Sequence, residues 1–224
     1  MIKLSELALD GVLDDVIIFH NLELSEDDHF GLMNCISYRS AFGGVTGSYH
    51  FLHRTVQEFL AACAVKQLPA EEQGKFWKER LVLGYNKKGQ FVLSDSNYEM
   101  PFLFFCGIGG LENDAVRNLL FEHLVFTNDR RFAGGTPFTE IATAVAESRD
   151  EELCQRIIEY CSDANISFLS PHQLNSLAYL MTISRHIKRL SVPSDGSRTD
   201  SFIQQISGKV TYLEEVTIEG ELIL

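Results

Sequence analysis

Basic residues are scarce in this 224-residue chain: Lys+Arg number 19 against 31 Asp+Glu, a formal net charge of −12. That deficit argues against non-specific binding to nucleic acid or anionic lipid, because both polyanions would be repelled. Tryptophan is almost absent (1) while phenylalanine is abundant (16), which suits a packed apolar interior better than an aromatic binding platform. The five cysteines, at 35, 63, 106, 154 and 161, include no C-x-x-C or similar close pair and read as reduced, buried thiols. At the start, MIKLSELALDGVLDD, no basic flank precedes an uninterrupted apolar stretch, so no signal peptide is expected. The most apolar window, Met100 to Leu111, is about half the ~20 residues of a membrane span and contains three glycines. It reads as a buried segment, and a cytoplasmic location follows by default.

Catalytic signatures are missing as well. No G-x-x-x-x-G-K-[ST] occurs, since Gly74-Lys75 and Gly208-Lys209 lack both the upstream glycine and the following Ser/Thr, so no phosphate cradle is expected. G-x-G-x-x-G, H-E-x-x-H and G-x-S-x-G are absent too. His50 and His53 are the one close histidine pair, but in an extended segment positions three apart face opposite ways, which opposes joint zinc ligation. Glu71-Glu72 and Glu151-Glu152 stand at helix starts, where they favour the macrodipole. An enzyme with a Cys/His or carboxylate site therefore has no motif behind it, and no catalytic or metal site is expected.

What is present is an ordinary globular composition, 45% hydrophobic and 22% charged, long enough for one large domain or two small ones. Leu4, Leu7, Ala8 and Val12 predict a first helix ended by Asp14-Asp15, and Val16–Phe19 a short strand. Ser25 to Asp28 resembles a capping box opening a short helix through Leu32, Met33 and Ile36. Gly43-Gly44 and Gly47 predict a turn before the extended segment Tyr49–Leu52. Thr55-x-x-Glu58 predicts a second capping box and a helix with Val56, Phe59, Leu60 and Cys63 on one face, ending before Pro69. Together these make an α+β unit of about winged-helix size.

From Pro69 to Ser170 the pattern is helical almost throughout: Ala70–Leu83, an exposed connection at 84–97, the buried Met100–Phe105, and helices capped by Asn113 or Asp114, Thr136 and Asp150. Ser170-Pro171-His172-Gln173 combines a proline start with a capping box, and Leu174, Leu177, Ala178 and Met181 line the helix behind it. Then Ile187–Val192 and Leu213–Ile218 both fit L-x-x-L-x-L, 26 residues apart, within the ~20–29 of leucine-rich repeats. Leu4–Leu9 fits the same pattern inside a helix, so the spacing carries the signal. Such arrays need about three units and the sequence stops after the second at Leu224, so a piece of something longer is expected. The competing reading is a stand-alone α-helical adaptor or scaffold, since the starts at Thr136 and Ser170 are 34 residues apart; the helices between them lack that repeat's aromatic and alanine pattern.

One segment is specific. Tyr49-His50-Phe51-Leu52-His53-Arg54-Thr55-Val56-Gln57-Glu58-Phe59-Leu60-Ala61-Ala62 resembles the Y-x-F-x-H-x-[ST]-x-Q-E-F-x-A-A signature of NOD-like receptors, the NACHT nucleotide-binding, leucine-rich-repeat proteins. Leu4–Phe19 is similar to that family's opening winged-helix segment, Phe102–Gly109 to a segment of its helical domain, and Leu169–Leu180 to the helix leading into its repeats. The resemblance implies a mainly α, α+β fold: a winged-helix domain at 1–68, an all-α helical domain at 69–169, and a transition helix with the first leucine-rich repeats of an α/β solenoid at 170–224. It also implies that His53 reaches a phosphate of ADP bound in a nucleotide-binding domain, that Glu58 serves the helix cap and that Phe59 serves the core; Arg54 and Val56 receive no role. The implied work is non-catalytic: packing on that domain in cis to hold the ADP-bound resting state, then releasing it so that full-length receptors self-oligomerise. ADP or ATP would be bound only with the domain that is missing here. No nucleic acid and no membrane span is implied.

Overall fold

The computed structural model describes residues 2–20, 22, 31–39, 45–82, 98–126, 132, 137–193 and 197–219. It is mostly helical with two small sheets, an α+β arrangement. Among the described residues, no helix is long and apolar enough to cross a membrane.

Helix α1 (Ile2–Leu13) buries Leu4, Ala8 and Val12, which recur every four residues on one face. The chain turns at Asp15, whose φ of 52° is left-handed. Strands β1 (Ile18–His20), β2 (Met33–Arg39) and β3 (Val45–Phe51) form an antiparallel sheet in the order β1-β3-β2. Phe19 and Phe51 meet edge to face at 5.9 Å on its inner side, and Met33, opposite Phe51 in register, is buried there too.

Two expectations fail here. Met33 and Ile36 belong to strand β2, not to a helix, because seven consecutive residues of that stretch find ladder partners on β3. Gly47 stands inside β3 opposite Ser37 rather than in a turn. The expected cap at Ser25–Asp28 and the pair Gly43-Gly44 lie outside the described residues, as do the connection at 84–97 and Thr136.

Helix α2 (Arg54–Gln67) is a wall between two cores. Leu60 and Ala61 join α1 and the antiparallel sheet, whereas Ala62 and Val65 join a larger cluster that runs to Ile206. Small side chains at 61, 62 and 64 let neighbours approach from both sides. The expected inward face was rotated: Leu60 is buried, but Phe59 is 41% exposed and Val56 and Cys63 are half-buried.

The larger core is built from α3 (Ala70–Val82), α4 (Glu99–Gly107), a 3₁₀ turn (Gly110–Glu112), α5 (Asp114–Phe126), α6 (Pro137–Ser148), α7 (Glu151–Ile158) and α8 (Pro171–Ile183). Trp77 lies at its centre against Phe102 and Phe105, with ring centroids 4.8 and 5.2 Å away. Gly110 is needed where it stands, since a Cβ there would meet the Phe105 ring at 2.1 Å. The expected caps at Asp150 and Ser170 are made: Asp150 Oδ1 accepts from Leu153 N at 3.1 Å, and Ser170 and Gln173 form the reciprocal box.

Polar side chains close the gap between the ends of these helices. Lys66 Nζ donates to Gly109 O at 2.5 Å, and Gln73 Nε2 donates to the carbonyls of Lys66 and Leu68 at 3.0 and 2.7 Å, satisfying the end of α2. Asn113 Nδ2 donates to Ala70 O at 2.7 Å and to Gln73 Oε1 at 3.2 Å. These bonds, with the shared α2, join the N-terminal unit to the helical one.

A parallel sheet, β4 (Asp163–Asn165), β5 (Arg189–Pro193) and β6 (Glu215–Glu219), ends the described chain, with α8 between β4 and β5 and α9 (Ser197–Ile206) between β5 and β6. Asp163 pairs with Arg189 and Arg189 with Glu215, a constant offset of 26 residues. The spacing read from the last two segments is therefore a spatial register, and a third strand shares it. β4 corrects the expectation that the stretch before Ser170 is helical almost throughout, and an isolated parallel bridge between Phe132 and Ala164 adds to that correction. Three strands and two intervening helices fall short of a solenoid.

Among the described residues the cysteines form no disulfide; Cys106, Cys154 and Cys161 are buried, but Cys35 is exposed and Cys63 half-buried, against the expectation of buried thiols throughout. Burial, with the Asp150 charge adding to it, pushes the Cys154 thiol up to about 12. An unfolded chain releases that proton near pH ~8.5 while the folded chain keeps it, so this group leaves stability unchanged below that pH and erodes it as pH climbs toward 12. Urea midpoints measured from pH 8 to 11 are expected to fall, and Cys154→Ala to make the fall shallower; parallel slopes would contradict the assignment.

Candidate functional site

The strand-to-helix junction at His53 is a polar corner of the N-terminal unit. β3 delivers the chain in extended form, and His53, at φ −148° and ψ 146°, becomes the N-cap of α2. The cap is the histidine itself and not Thr55, as the capping-box reading had it. Thr55 N donates to His53 Nδ1 at 3.1 Å, and Thr55 Oγ1 lies 2.9 Å from the same nitrogen. A ring nitrogen that accepts carries no proton, so in this arrangement the imidazole's N–H is at Nε2. His53 is exposed, and its donor sits at the positive end of a 14-residue helix.

The next turn is fixed by residues buried against α1. Gln57 Nε2 donates to Val16 O at 2.9 Å, and Gly11 leaves the room for it, since a Cβ at Gly11 would stand 2.3 Å from that nitrogen. Glu58 does not serve the cap. Its nearly buried carboxylate accepts from Arg54 Nε at 3.1 Å, and Arg54 also approaches Asp15 at 3.7 Å. Arg54, to which the sequence assigned nothing, is thus the counter-charge that makes Glu58 tolerable. Its signal was the i, i+4 spacing of opposite charges on a helix.

Beside His53, Leu52 is exposed just before α2, and one side of α2 carries exposed Phe59 with half-buried Val56 and Cys63. Phe59, placed in the core by the resemblance, instead packs edge to face on Phe104 of α4 at 5.6 Å and leaves much of its ring in the open. His50 lies in β3 with Nδ1 3.0 Å from Phe51 O and takes no part in the His53 cap. No cluster of three or more His, Cys, Asp or Glu suited to a metal occurs among the described residues.

A second polar region lies on the parallel sheet. Asp163, Asn165, Arg189, Ser191, Glu215 and Thr217, alternate residues of three strands, line a shallow open depression of about 310 Å³. Arg189 donates to Asp163 through Nε and, at 2.9 Å, through Nη2; these bonds hold its guanidinium proton more tightly than usual.

Set against known protein families and against curated proteins, the sequence matches none.

Proposed function

We propose that this chain is the non-catalytic regulatory portion of a cytosolic NOD-like innate immune receptor. In this reading residues 1–68 are its winged-helix domain, 69–169 its helical domain, and 170–224 its transition helix and first leucine-rich repeats. The observation that carries the reading is His53, an exposed residue at a helix start whose Nδ1 accepts the cap bond, which leaves Nε2–H as the ring's remaining donor, a group suited to a phosphate oxygen. The constant 26-residue register of β4, β5 and β6 supports the repeat portion. A single donor does not hold a diphosphate, and the sequence has no phosphate loop. ADP or ATP would be bound mainly by a nucleotide-binding domain in cis, with His53 contributing one contact. That domain would cover the apolar face of α2, and the brace among Lys66, Gln73 and Asn113 would make the winged-helix and helical portions swing as one lever on release, freeing receptors to oligomerise.

The test separates sensing from capping. In a full-length receptor, His53→Asn keeps a side-chain oxygen for the cap but removes the imidazole donor, whereas His53→Leu removes both. Both variants are expected to raise ADP release and resting-state oligomerisation, while only His53→Leu destabilises the 224-residue chain, by about 1 kcal/mol. An unaltered resting state in both would overturn the reading.

A further inference from the structure

The main chain at His53 is pinned independently of its ring. Val56 N and Gln57 N donate to His53 O at 3.0 and 3.4 Å, and the buried Gln57 side chain ties the same turn to Val16 O at 2.9 Å. What is left to fix is the imidazole, which turns about two side-chain bonds. Among the described residues the hydrogen bonds of the ring go to Thr55, through its amide and through its hydroxyl.

The two contacts do different things. The Thr55 amide can only donate, so a proton on Nδ1 would face another proton across 3.1 Å, and the amide selects the Nε2–H tautomer. The Thr55 hydroxyl, 2.9 Å from Nδ1, reaches the same nitrogen from the side chain. One hydrogen bond is a soft directional restraint, and a second of different origin narrows the tilt of the ring. Turning the ring over would present Cδ2 to both groups and lose both bonds. The neighbouring Arg54 guanidinium is turned to Glu58 at 3.1 Å and to Asp15 at 3.7 Å, which leaves the ring to meet an anion.

We propose that Thr55 is a positioning residue for the phosphate contact of His53: its amide keeps the ring proton on Nε2, and its hydroxyl keeps the ring from tilting or turning over. Nε2–H then offers a donor and no lone pair, which fits a phosphate oxygen and turns away a metal cation. The proposal rests on the reading of His53 as a phosphate contact, although the state of the ring is measurable without it.

The ring is read first in the 224-residue chain carrying isotope-labelled histidine, by long-range proton–nitrogen correlation at mildly alkaline pH, with His53→Asn identifying its signals. A protonated Nε2 and a bare Nδ1 are expected. Thr55→Val keeps the amide and the volume and drops the hydroxyl. It is expected to leave the urea midpoint unchanged while broadening or doubling the His53 ring signals, and Thr55→Ser to restore a single sharp set. In the full-length receptor, Thr55→Val is expected to speed release of a fluorescent ADP analogue about fivefold, and Thr55→Ser to return it to the native rate. A proton on Nδ1, or an equally sharp single ring state in Thr55→Val, would overturn the proposal on the chain alone. Unchanged release in Thr55→Val beside faster release in His53→Asn would sink it and leave the receptor reading standing. Unchanged release in both would sink it together with that reading.

Discussion

Replacing Trp77 with alanine is expected to lower the stability of the chain by about 3–5 kcal/mol, among the largest losses a single truncation can cause here. The indole is fully buried and meets Phe76, Phe102 and Phe105 with ring centroids 5.0, 4.8 and 5.2 Å away. The contact thus joins helices α3 and α4 at the middle of the larger core. Its Nε1 donates no hydrogen bond among the described residues, so the loss comes from burial and dispersion and from the cavity left behind. Trp77→Phe keeps a ring against the same neighbours and drops the unpartnered N–H, and it is expected to cost much less, about 1–2 kcal/mol. Urea unfolding followed by far-ultraviolet circular dichroism reads both variants without needing the only tryptophan as the probe. A Trp77→Ala loss below about 1 kcal/mol would mean that α3 does not dock through this ring.

The parts of the fold that were legible in the sequence are those decided locally. Asp150 and Ser170 cap helices through bonds to residues three positions on, and Leu4, Ala8 and Val12 mark a face by spacing alone. Strand β2 was not legible, because Leu32, Met33 and Ile36 also suit a helix and only pairing with β3, a non-local event, decides between them. Phe59 and Leu60 are adjacent and both apolar, so periodicity could not say which of them packing would leave uncovered. β4 was missed because it is three residues long and carries Ala164 where the later strands carry Leu190 and Val216. Its signal was the same 26-residue spacing read one unit upstream, with Cys161, Ala164 and Ile166 in the aliphatic positions. At the candidate site His53 came from a resemblance. Its ring tautomer depends on the bond from the Thr55 amide, and the roles of Arg54 and Gln57 on contacts with Asp15 and Val16 just after α1, none of which a linear motif shows.

A matched pair of substitutions asks whether the 26-residue register controls burial. Leu190 and Val216 are register partners on adjacent parallel strands, yet one is enclosed and the other open. Leu190 belongs to the same buried cluster as Leu177, Ile187 and Val192, so Leu190→Asp would remove a packed side chain and leave a carboxylate without water or a counter-charge. Large-to-small loss alone at such a site is about 2–5 kcal/mol, and the buried polar group adds to it. Since a domain of this kind holds only about 5–15 kcal/mol in total, Leu190→Asp is expected to unfold the sheet region or prevent soluble expression. Val216→Asp puts the same carboxylate at the equivalent position of the next strand, where water solvates it, and is expected to cost about 1 kcal/mol or less. The measurement is the urea midpoint of each variant, with limited proteolysis around α9 locating the damage. Comparable losses at the two positions would mean that Val216 is as enclosed as Leu190. A mild loss at Leu190 would instead mean that the strands do not share one register, and the 26-residue spacing would return to being a coincidence of two short motifs.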